Sequence, residues 1–204
     1  MHEVPHSAFH VDKGILFSIK QLTVNPGKAI RDYIDGKRIY HFPPLTYMIL
    51  ITTIYVVIKG LQIYFHFDEI KPSQEFQRKH QLAFFLSIIP LYALIYWLFH
   101  RKYGYNYWQI LVAQTYITGH FILIMTIPNI ILFLFPVTRD SAKDYFIVIA
   151  FGYFIYAYYQ IHKNFVKSKW KLLFRELICF FIASIVALGS AIVVFGTLSK
   201  YIKH

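Results

Sequence analysis

Five apolar blocks punctuate the chain at residues 45–65, 82–99, 110–135, 145–161 and 172–198, separated by short polar stretches. Most match the roughly 20 residues that a helix needs to cross a bilayer. The pattern therefore predicts about five transmembrane helices. Pro43-Pro44 opens the first block, and Pro128 predicts a kink in the third by withholding an N–H from the carbonyl four residues earlier. The fourth block is short and rich in tyrosine. The alternative is a four-span chain in which that block lies in the membrane interface.

Two amphipathic segments precede the first block. Ile15, Leu16, Ile19 and Leu22 share one face of a helix over residues 13–23. Asn25-Pro26 is a helix start, with Asn at the N-cap and Pro at the first helical position. The second helix puts Ile30, Tyr33 and Ile34 on one side, and Gly36 ends it. Such helices lie in the interface plane with their apolar faces down. The fold class is thus all-α: a polytopic membrane bundle over residues 42–204, a cytoplasmic amphipathic collar over 13–41, and a flexible N-terminus over 1–12. His2, His6 and His10 have helical spacing, but Pro5 interrupts it and the segment reads as a frayed end.

Composition agrees with this layout. Of 204 residues 57% are hydrophobic and only 15% charged, where soluble domains carry about 25%. The net charge of +11 does not point to nucleic acid, because no binding motif accompanies it. The bases instead gather at the block ends, where they meet anionic lipid. With the N-terminus inside, thirteen Lys and Arg flank the inner ends and seven the outer ends, and Lys59 lies within a span. That asymmetry predicts an N-inside, C-outside chain. Lys28, Arg31, Lys37 and Arg38 are the candidate lipid or partner contacts of the collar. Cys179 is the only cysteine, so no internal disulfide and no Cys-based zinc site is expected. No cleavable signal peptide is visible.

Polar residues inside a span are functional candidates by default. Gln114, Thr118, His120 and Asn129 form a polar set on the third block. They line a wet cavity or pore, or bond to a neighbouring helix. His120 is read either as a proton carrier or metal ligand, or as a satisfied interhelical histidine. Ala183, Ala187 and Ala191 recur every four residues and predict a close-packing helix face. No catalytic pair, zinc motif, phosphate loop or dinucleotide fingerprint is present. No catalytic, cofactor or metal residue is therefore assigned.

Leu22, Pro26-Gly27, Gly36-Lys37-Arg38, Tyr40 and Pro43-Pro44 carry a resemblance. Over residues 15 to 60 the chain resembles an uncharacterised integral-membrane family from Bacteroidota. That family often begins with a Cys-rich zinc ribbon, which is absent here. The resemblance implies a similar multi-span layout and a bacterial inner membrane, but no chemistry. The expected function is a non-enzymatic inner-membrane protein acting through self- or partner association, with the lipid bilayer, another copy or an unidentified protein as partner. The alternative is an oligomeric pore or membrane-perturbing effector of the kind that accompanies phage-defence systems. A lipid-modifying enzyme would need a catalytic pair that the sequence does not offer.

Overall fold

A computed structural model describes residues 4–65, 80–134 and 141–202, with side chains from Gly14 to Ser190 apart from a few positions. Every described element is helical. The order is α1 (Val4–Val24), α2 (Pro26–Ile34), α3 (Pro44–Tyr64), α4 (Gln81–His100), α5 (Tyr107–Leu134), α6 (Ser141–His162) and α7 (Lys169–Ile202). Single 3-10 turns extend α4 over Arg101–Tyr103 and α6 over Lys163–Phe165. His2, His6 and His10 lie outside the residues whose side chains are described. The helix α1 starts earlier than its amphipathic pattern, because Pro5 falls in the first turn, where a missing N–H costs nothing.

Among the described residues, three helices are long and apolar enough to cross a membrane: Pro44–Tyr64, Gln81–Tyr103 and Tyr107–Ile131. The helix α6 falls short of that mark among the described residues, since Tyr153, Tyr156, Tyr158, Tyr159 and Gln160 lower its hydropathy. At the centre stands α5, with 61% of its span buried against 22% for α3 and 17% for α4. It packs on α3, α4 and α6 and also touches α1 and α2. Pro128 lies inside α5 and Pro90 inside α4. Beside Pro128, Asn129 Nδ2 donates to the Met125 carbonyl at 2.6 Å, and Gln62 Nε2 on α3 donates to the Asn129 carbonyl at 2.7 Å. Amide side chains thus cover backbone carbonyls near the proline.

The two N-terminal helices are seated in the bundle as well as capping it. Leu22, Ala29 and Ile30 belong to the main core, together with Tyr47, Tyr96, Ile117 and Tyr158. The helix α2 begins at Pro26 as its sequence requires, although the Asn25 side chain makes no cap bond. The Asn25 carbonyl instead accepts from the amides of Lys28 and Ala29, both at 3.0 Å. The C-terminal end of α2 turns at Gly36, whose φ of 92° belongs to the left-handed region.

The entry into α3 is fixed from both sides. The Phe42 amide donates to Ser18 Oγ at 2.7 Å, and the Phe42 carbonyl accepts from the Tyr116 hydroxyl at 2.5 Å. The one backbone segment between collar and first span therefore has its polar groups satisfied by α1 and α5. His41, next to it, packs edge-on to Phe17 at 5.3 Å.

Candidate functional site at the collar end

The ends of α4 and α6 and the beginning of α7 meet beside α2. Tyr96 and His100 are one turn apart on α4, and Tyr158 and His162 repeat that spacing on α6. The two pairs face each other as a column of rings. Tyr96 lies 3.7 Å from Tyr158, and His100 lies 4.1 Å from His162 with their planes only 7° apart. Glu176 from α7 enters beside the imidazoles. Its Oε1 is 3.0 Å from His100 Nε2 and 3.1 Å from His162 Nδ1, and all three side chains are fully buried.

The hydrogen bonds order the protons. His100 Nδ1 faces the Tyr96 carbonyl at 2.8 Å, so it donates there. His100 Nε2 and Glu176 Oε1 must then share a proton between them, whichever atom holds it. His162 donates from Nδ1 to the same oxygen. Glu176 Oε2 and His162 Nε2 remain without hydrogen-bond partners. A lone carboxylate in an apolar helix is costly unless paired, and the two imidazoles provide that pairing.

His100, His162 and Glu176 also have the composition of a metal site, with ligand atoms within 4.8 Å of one another. The ring geometry does not preorganise one. An imidazole binds a metal along the lone pair in its own plane. Two parallel rings 4.1 Å apart have no common point in both planes. As placed, the group is a hydrogen-bonded cluster, and one ring must turn about χ2 to share an ion.

Toward the surface the cluster is covered by Tyr103, whose ring sits 5.9 Å from His100 and 5.5 Å from His162. The Arg175 guanidinium carbon lies 4.7 Å from the centre of this tyrosine ring, and its Nη1 donates to the hydroxyl. Beyond them lies an open cavity bordered by Lys102, Phe165, Lys167 and Lys171.

Arg31 reaches the end of α6 and donates from Nη1 to the Gln160 carbonyl at 2.8 Å and the Ile161 carbonyl at 3.2 Å. It satisfies carbonyls that a helix end leaves open. Lys28 and Lys37 both pair with Asp32, at 3.2 Å and 3.0 Å. The Lys37 hydrogen bond, with Lys28 beside it, holds that carboxyl below its ordinary range. Arg38 lies over the Tyr33 ring at 5.2 Å. The four cations thus stay at the collar, and Arg31 is turned inward.

The polar set of α5 is bonded within the chain. Gln114 Nε2 donates to Thr118 Oγ1 at 3.1 Å, and Gln114 Oε1 accepts from the Tyr158 hydroxyl at 2.5 Å. Thr23 already donates to the Ile19 carbonyl at 2.8 Å. It therefore accepts from His120 Nε2–H at 3.1 Å. His120 Nδ1 is left to accept from the Tyr47 hydroxyl at 2.9 Å. This makes His120 a neutral interhelical link that ties α1, α3 and α5 together. Ala183 and Ala187 are buried within the bundle, while the Ala191 side chain lies outside the described residues.

His100, His162, Glu176 and Arg175 did not stand out in the sequence as a site. The available signal was the duplicated Tyr-x-x-x-His at the ends of α4 and α6, followed by one carboxylate in an apolar run.

These features define a helical, membrane-associated protein with a polar cluster buried at one end. The profile of a family described as a protein of unknown function, DUF3667, matches residues 12–56. The match spans the collar and the first half of α3. No curated protein and no solved structure matches the chain.

The burial of His41 predicts a pH effect. Desolvation lowers its pKa from the ordinary 6.5, partly offset by Asp32 and reinforced by Lys28. The unfolded chain then binds the proton more readily than the folded one. The stability contribution is complete above pH 6.5 and is lost as pH falls below it. Melting of the detergent-solubilised protein between pH 7.5 and 5.5 should fall more for wild type than for His41→Phe. Identical pH profiles would remove His41 as the cause.

Proposed function

We propose that this is a non-enzymatic protein of a bacterial inner membrane that works by associating with another copy or a partner protein at its cytoplasmic face. In this reading it crosses the membrane five times, N-terminus inside and C-terminus outside. The lengths of α6 and α7 support the two further crossings: their 22 and 34 residues extend about 33 and 51 Å, enough for a hydrocarbon core of about 30 Å. The His162 end of α6 returns to the collar, where α7 starts. The excess of Lys and Arg at this end supports the orientation.

The observation that carries the reading is the loop between α2 and α3. Ile39 is 92% exposed and Tyr40 is 70% exposed, and Lys37 and Arg38 precede them. An apolar pair beside two cations is held out by a firmly anchored segment, with Phe42 fixed to Ser18 and Tyr116. Such a display suits a docking contact at the membrane boundary. Conduction is the weaker reading because Gln114, Thr118 and His120 direct their hydrogen bonds into the chain itself.

A direct test is co-purification. Tagged full-length protein in mild detergent should retain an untagged copy or a stoichiometric partner. The double variant Ile39→Ser, Tyr40→Ser should reduce that retention about tenfold, which corresponds to about 1.4 kcal/mol, and leave insertion and melting unchanged. A wild-type protein that runs as a lone monomer, crosslinks to nothing in membranes and leaks dye from liposomes would sink the association reading in favour of a pore.

A further inference from the structure

The cavity outside Tyr103 has a lining whose charged groups are all basic. It is open, measures about 720 Å³, and is bordered by Lys102, Lys167, Lys171 and Arg175, with Tyr103 and Phe165 as aromatic walls. None of the four cations forms an ion pair among the described residues. Lys102 instead leans over the Tyr103 ring at 5.5 Å. The first turn of α7 forms one edge at Lys171, so the helix dipole adds positive potential there.

Arg175 is the sharper observation. Its Nη1 is used by the Tyr103 hydroxyl, but Nε and Nη2 are buried without hydrogen-bond partners. Buried donors without acceptors are rare in folded proteins because their lost hydration is not replaced. Glu176, its neighbour in sequence, does not meet this need. One carboxylate oxygen is taken by His100 and His162, and the other is itself unpartnered. The cluster beneath Tyr103 thus holds the Glu176 carboxylate away from the cavity.

We propose that this cavity binds a phosphate group: Lys102, Lys167 and Lys171 meet it directly, and Arg175 turns its buried Nε and Nη2 edge toward it on binding. Phosphate offers a guanidinium fork paired oxygen acceptors, and lysines serve it as point charges. A carboxylate ligand would leave more of the fourfold positive charge uncompensated. Trp170 and Phe174, the sequence neighbours of Lys171 and Arg175, are exposed, as aromatic residues are at a lipid boundary. The phosphate belongs either to an anionic lipid head group or to a soluble phosphate compound. This site does not depend on whether the collar finds a partner.

The test uses purified full-length protein in a neutral detergent. Its melting is followed with dioleoylphosphatidic acid, with dioleoylphosphatidylcholine, and with inorganic phosphate. Phosphatidic acid should raise the melting temperature saturably where phosphatidylcholine does not. The double variant Lys102→Gln, Lys171→Gln removes exposed cations and leaves the packed Arg175 in place. It should bind at least tenfold more weakly while melting normally without ligand. Arg175→Gln should bind more weakly still. The charge-matched variant Lys28→Gln, Lys37→Gln should bind as wild type does. Saturable stabilisation by inorganic phosphate alone, lost in the same double variant, would assign the site to a soluble phosphate compound. Equal responses of wild type and both cavity variants, or equal losses in the collar control, would overturn the proposal.

Discussion

Replacing Glu176 by Leu is expected to destabilise the protein by about 3–5 kcal/mol, the range for removing one partner of a buried charge pair. For a chain of this size that corresponds to a melting shift on the order of 10 °C. The cause is specific. His100 Nδ1 is committed to the Tyr96 carbonyl, and its Nε2 has no acceptor other than Glu176 Oε1. Without the carboxylate, two stacked imidazoles remain in an apolar shell with at least one N–H stranded. Restoring apolar consistency should recover part of the loss. The triple variant His100→Phe, His162→Phe, Glu176→Leu should melt above the single variant, because it strands no polar group. Fluorescence-detected melting of detergent-solubilised protein reads both effects. Wild-type melting in Glu176→Leu would show that the cluster contributes nothing to stability.

The second large effect is expected from one methyl group. A Cβ on Gly27 would stand 2.4 Å from the carbonyl carbon and oxygen of Gln160. These are backbone atoms, so no rotamer change relieves the clash, and α2 must lift from α6. Lifting it also breaks the two bonds from Arg31, one turn further along, to the Gln160 and Ile161 carbonyls. Gly27→Ala should therefore cost about 3 kcal/mol, the upper end for overpacking, and expose residues 1–36 to limited proteolysis. Gly152→Ala is the matched control on α6, since its Cβ meets nothing within 4 Å. In a helix interior that change should stabilise by up to about 1 kcal/mol. Two identical substitutions with opposite signs would locate the collar seat. Equal small effects would mean that α2 is not held as described.

The seat at Gly27 marks the limit of what the sequence conveyed. Helix positions were legible because Pro26, Gly36 and Pro44 act locally, and the helices α3 to α7 occupy the apolar blocks expected of them. The partners of those helices were not legible. Arg31 read as a surface cation because its acceptors lie 129 and 130 residues away. The Lys28 and Lys37 pairs with Asp32 are local and could be anticipated. His120 was open between a chemical and a structural role until Thr23 and Tyr47 fixed its tautomer. The His100–Glu176–His162 cluster joins three helices, and no one-dimensional pattern states which helix ends meet. Even so, the repeated Tyr-x-x-x-His was visible, and two such repeats at helix ends are a reason to look for a third polar residue.

The deep seating of the N-terminal helices also bears on how the protein is made. Leu22 receives its bond from Tyr153, 131 residues later in the chain, and α2 rests on the end of α6. At about 5–20 residues per second, that interval is on the order of ten seconds of synthesis. The collar leaves the ribosome before α6, and the seat of α2 stays incomplete until that helix has arrived. Throughout that wait the collar's apolar face needs another surface, and the membrane interface or an insertion factor is the one at hand. Assembly of this protein closes at its beginning, and variants that loosen α6 should show their defect at the opposite end of the sequence.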